Sequence, residues 1–82
     1  TTIKGRFSWT LPATSTGNTI TVTDTSVTAT STIVFSLEAE DADVSFQNAY
    51  ISQRSTGTSF TVTYDVITGG GTKTGYVNYM NL

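Results

Sequence analysis

The sequence predicts an all-β fold, a small antiparallel β-sandwich of jelly-roll type. Three observations predict it. Apolar residues recur with period two in almost every segment. No window of helical length places apolar residues at i, i+3, i+4 and i+7, so no substantial helix is expected. Breaks rich in glycine, proline and asparagine fall at the short intervals typical of sandwiches and small barrels.

The elements follow in order. Ile3, Phe7 and Trp9 share a parity opposite Lys4, Arg6 and Ser8, which predicts a half-buried strand over 3–9, closed by Leu11-Pro12. Ser15-Thr16-Gly17-Asn18 reads as a turn. Ile20 and Val22 alternate with threonines and predict a strand over 19–24, linked through Asp24 to Ala29 to a strand over 31–37 with Ile33, Phe35 and Leu37 on one face. A strand over 44–54, broken near Asn48, comes next. Thr56-Gly57 is a hairpin turn into 58–67, where Phe60, Val62, Tyr64 and Val66 share a face. Gly69-Gly70-Gly71 reads as a second hairpin loop, into a last strand over 74–80. Residues 15–27 and 55–67 match at six of thirteen positions, which recurrence of a glycine turn before a Thr/Val strand explains without duplication.

Composition narrows the function. The 82 residues form a single domain over 1–82, and the start at Thr1 rather than Met points to a piece of a longer or processed chain. Nineteen threonines and nine serines suit the solvent side of exposed strands, since threonine is both β-branched and polar. Irregular spacing of the Thr-x-Thr units argues against an ice-ordering array. There is no cysteine and no histidine, so neither a disulfide framework, nor a thiolate zinc site, nor the commonest general base is at hand. Four basic residues and a net charge of −2 cannot track a phosphate backbone, so no nucleic-acid partner is expected. No run approaches the roughly 18 apolar residues of a membrane-spanning helix, and no charged segment leads into an apolar secretory stretch. A domain this small has little stability to spare, and with no disulfide to reinforce it, oligomerisation is the expected support.

Three groups of residues are candidates for function. Glu38, Glu40, Asp41 and Asp43 gather four of the six acidic residues and form a calcium candidate, expected on the loop after strand 31–37. The spacing lacks the glycine and terminal glutamate of an EF-hand, and a solvated loop that keeps a sheet edge soluble is the simpler reading. Tyr50, on the same parity as Arg54 and near Asn48 and Gln53, forms a polar and aromatic group suited to carbohydrate hydroxyls. Tyr76 and Tyr79 have opposite parity in the last strand, and with Met80 they are assigned to a subunit interface. Two carboxylates facing each other across a cleft, as glycoside hydrolysis requires, are not evident. No catalytic residue and no cofactor is assigned, and the chain is expected not to be an enzyme.

One resemblance adds to this. The segments TGNTITVTDTSVTATSTIVFSL and TGTSFTVTYDV, the following glycine loop and the closing GYVNYMNL resemble the C-terminal domains of bacteriophage tail fibres and tailspikes. The resemblance covers most of 15–82; the entry strand and linker of 1–13 lie outside it. It implies a homotrimeric tip on the virion that stabilises the trimer and contacts bacterial surface polysaccharide, with any depolymerase activity in an upstream β-helix. Two alternatives remain open: a ligand-free trimerisation cap or capsid decoration domain, and a lectin-like carbohydrate-binding module of a bacterial surface protein or enzyme.

Overall fold

The computed structural model describes residues 3–82, and Thr1, Thr2 and the inward placement expected for Ile3 lie outside the described residues and side chains. Six strands form: β1 Ile3–Thr10, β2 Ser15–Thr23, β3 Ile33–Ala39, β4 Ser45–Ser55, β5 Ser59–Ile67 and β6 Thr74–Asn81. They make two three-stranded antiparallel sheets, ordered β1-β6-β3 and β2-β5-β4. The protein is an all-β sandwich.

The ladders nest: β1 pairs with β6 and β2 with β5. The two crossovers that carry these arms from one sheet to the other also stay together. Leu11 N–H donates to the Lys73 carbonyl at 3.0 Å, and Thr68 N–H donates to Thr14 Oγ1 at 2.9 Å. A two-armed ribbon wound in this way gives jelly-roll order, here with six strands where a full roll has about eight.

This winding corrects one sequence expectation. Gly69-Gly70-Gly71 is not a hairpin loop, because β5 and β6 lie in different sheets. Both neighbours of β5 are already supplied by β2 and β4, so β6 must cross over and pair with β1 and β3. Thr56-Gly57 does turn a true hairpin between β4 and β5, and Gly57 N–H also holds the Val27 carbonyl of the β2–β3 crossover at 2.8 Å.

The bulges correct two more. Ser15 to Asn18 is the bulged start of β2 rather than a turn, with Ser15 opposite Val66 and Asn18 opposite Tyr64. Asn48 does not break β4: it sits at φ 53° in a bulge between Gln47 and Tyr50. Asn is among the few residue types that enter this left-handed region readily.

The core lies between the sheets. Ile20, Val22, Phe60, Val62, Tyr64 and Val66 come from the second sheet, Ile33 and Val77 from the first, and Val27 from the β2–β3 crossover. Trp9, Phe46 and Tyr64 form a cluster with ring centroids 5.6–6.0 Å apart. Trp9 Nε1–H donates to the Tyr64 hydroxyl at 3.0 Å, so the buried phenol is satisfied. Two glycines on the β1–β6 ladder make room for aromatics. Tyr79 lies over its partner Gly5, where any Cβ would run into the phenol ring. At Gly75, opposite Trp9, a Cβ would sit 2.8 Å from Leu11 and 2.9 Å from Trp9. An aromatic laid over a cross-strand glycine recovers the contact that the glycine cannot make.

Candidate functional site

Register decides which side chains share a face. On β5, Phe60, Val62, Tyr64 and Val66 are buried, so Thr61, Thr63 and Asp65 between them look outward. Tyr50 lies opposite Thr63 and Gln53 opposite Thr61, so both join this outer face, and Tyr50 is 55% exposed. Thr19 and Thr21 of β2 complete the two rows.

Arg54 does not join them. A second irregularity in β4, between Ile51 and Gln53, adds Ser52 and reverses the alternation. Arg54 therefore pairs with buried Phe60, and its Nε donates to the Ser31 carbonyl at 2.9 Å, pinning the β2–β3 crossover. Its parity with Tyr50 predicted a shared face, and the bulge removes it. Asn48 also has a structural role. Its amide donates to Asp65 Oδ2 at 2.8 Å, while Gly17 N–H donates to Oδ1 at 2.9 Å. The central carboxylate is thus held by a bulge on each edge strand. The Asn48 amide first, then the Gly17 N–H, hold its pKa below the ordinary carboxylate value. Of the four predicted ligand residues, Tyr50 and Gln53 share the open outer face.

The outer face of the first sheet has different chemistry. Arg6 pairs with Glu38 at 2.5 Å and lies 4.1 Å over the Tyr76 ring. Asn78 donates to Glu38 Oε1 at 2.7 Å and accepts from Arg6 at 3.2 Å. The Tyr76 hydroxyl donates to Glu40 Oε1 at 2.7 Å, and this bond to a carboxylate is the main cause of its raised pKa. Beyond this network the face opens into a groove of about 390 Å³ lined by Lys4, Val34, Ser36, Asn78 and Met80 among others. Val34 is 54% exposed.

Tyr79 has the opposite parity to Tyr76, yet it borders the same groove beside Gly5 and Phe35. It points inward against Phe60, with ring centroids 5.2 Å apart in an edge-to-face arrangement, and burial raises its pKa. Tyr76 and Met80 remain outward.

The four acidic residues of the run do not converge on one point. Glu38 is part of β3 and turns to Arg6, Glu40 turns to Tyr76, and Asp41 and Asp43 hold Lys73 at 3.1 and 3.4 Å. Calcium needs six to eight oxygens around one point. Among the described residues no three metal-type side chains gather. The pairing instead ties the β3–β4 loop to the β5–β6 crossover, and Asp43 Oδ2 also accepts from Gly69 N–H at 3.1 Å. The Asp41 side chain is the main cause of the raised Lys73 pKa.

One buried group escaped the sequence reading. Asp24 Oδ1 accepts from Ser26 N–H at 2.9 Å and Ser26 Oγ at 2.6 Å, and Asn81 donates to the same Ser26 Oγ at 2.9 Å. The signal was present as Asp-x-Ser at the end of a strand, the pattern of an Asx turn. This latch fastens the β2–β3 crossover to the end of β6. No family model, curated protein or solved structure matches the chain, so the resemblance to tail-fibre tips stands on its quoted segments alone.

Proposed function

We propose that this chain is a non-catalytic assembly and attachment module, the trimeric tip domain of a phage tail fibre or tailspike, acting on the virion at the host cell surface. One observation carries the reading: the two outer faces are chemically distinct. The first sheet presents an apolar groove around Val34 and Met80, with Lys4 and Arg6 on one edge strand and Glu38 on the other. The second presents a field of hydroxyls and amides around Tyr50, with the carboxylate of Asp65 beside it.

The first face suits association with copies of itself. Three strands span about 14 Å, and three such faces around an axis parallel to the strands leave about 4–5 Å from each sheet to the axis. That is half the ordinary spacing of about 10 Å between packed sheets, so one layer of side chains from β6 fills it. Met80, Asn78 and Tyr76 would line the axis, and Lys4 at the β1 edge of one copy would face the β3 edge of the next. The second face stays free for a bacterial surface polysaccharide, and three weak contacts on one trimer gain avidity from their effective concentration.

Sedimentation velocity tests the assembly half. The expected mass is three times the 8.7 kDa of the chain, falling to one chain in Met80→Lys. A wild-type monomer at micromolar concentration overturns it, and a monomer that still binds sugar favours the lectin-like alternative.

A further inference from the structure

The outer face of the second sheet also limits what kind of glycan it can take. Its two rows are Tyr50–Thr63–Thr19 and Gln53–Thr61–Thr21. With strands about 4.8 Å apart and same-face neighbours about 6.7 Å apart, the patch measures about 10 by 7 Å, the scale of one or two sugar rings. The threonine hydroxyls sit on stiff β-branched side chains, so little rotamer freedom is lost when they bind.

Among the described residues the patch holds no cation. The chain contains four basic residues, and all are committed elsewhere. Lys4 and Arg6 belong to the first sheet, Arg54 turns to the Ser31 carbonyl, and Lys73 lies between Asp41 and Asp43. Among the described residues, the ionised side chain on this face is Asp65, with one oxygen bonded to Gly17 and the other to Asn48. A carboxylate, phosphate or sulfate arriving here would meet a like charge and find no guanidinium or ammonium to pair with.

We infer that this face binds a neutral glycan, a hexose or N-acetylhexosamine unit carrying no acidic group. The inference rests on the attachment role proposed above. Tyr50 offers its ring to the C–H face of the sugar, and Gln53 and the threonine hydroxyls bond to its hydroxyls.

The test is a titration of the ¹⁵N-labelled domain with neutral oligosaccharides built from galactose or N-acetylglucosamine, and with sialylated and uronate-containing counterparts. Neutral sugars are expected to shift the amides of 50, 53, 61 and 63, and raising the salt from about 0.02 to about 0.5 M should leave affinity within about twofold. Tyr50→Ala should weaken binding about tenfold, and Thr63→Val provides a second, nearly isosteric check. Tighter binding of the anionic sugars overturns the inference and leaves the attachment role standing, as does neutral binding unchanged in both variants. If neither class shifts any amide, the inference and the attachment role fall together.

Discussion

The two sheets bury their inner faces by different means. The central strand of the second sheet, β5, sends Phe60, Val62, Tyr64 and Val66 inward, each at most 1% exposed. The central strand of the first, β6, sends Gly75, Val77, Tyr79 and Asn81 inward, and only Val77 is a fully buried apolar side chain. One wall is thus a continuous hydrocarbon surface. The other depends on aromatics seated over glycines and on the polar latch through Ser26 and Asp24. Fully buried apolar side chains are therefore denser on β5 than on β6, while the outer face of the first sheet carries an apolar groove of its own.

Four measurements sharpen or break this contrast, in decreasing order of expected effect. Phe60→Ala should lose about 3–5 kcal/mol in urea melts, against about 2 kcal/mol for Val77→Ala. Equal losses would mean that the two walls contribute alike. Gly75→Val should cost about 1–3 kcal/mol, because its side chain must displace Leu11 and Trp9. A neutral result there would remove the glycine–aromatic account of the first sheet. The third measurement concerns acid. The folded pKa of Asp65 lies below its unfolded value, so its contribution is complete above about pH 4 and is lost as pH falls through the lower folded pKa. The gap in urea midpoint between wild type and Asp65→Asn should be open at about pH 6 and closed at about pH 2. A gap that persists in acid would show that the carboxylate charge is not what the two bulges hold. Tyr50→Ala should change stability by less than about 0.5 kcal/mol, since the ring projects from the outer face. A larger loss would make Tyr50 part of the packing and leave it a poor ligand residue.

The strands were legible in the sequence because period two is a direct imprint of a sheet with one buried face. All six predicted strands exist, and Phe60 to Val66 are buried as their alternation requires. Sheet membership was not legible. A glycine run between two strands looks the same whether it turns a hairpin or crosses the sandwich, and only the nested pairing of β1 with β6 distinguishes the two cases at Gly69 to Gly71. The binding face was half legible. Tyr50 and Gln53 fell where a polar outer face was expected, while Arg54 did not, because parity counting assumes an unbroken ladder and one extra residue at Ser52 reverses every side chain beyond it. Glu38 was misplaced for a related reason. Its charge suggested a loop, yet the sheet extends far enough for it to meet Arg6 across β6.

The nested ladder also brings the start of β1 and the end of β6 together. Ile3 stands opposite Asn81 on neighbouring antiparallel strands, about 5 Å apart between α-carbons. A few glycines would join them without bending either sheet. The backbone could then be reopened at the exposed Gly70, between two strands that share no ladder, and every pairing in the sandwich would be retained in the circular permutant. For the same reason the domain can be carried as an insert within a loop of a host protein, entering and leaving at a single point on its surface.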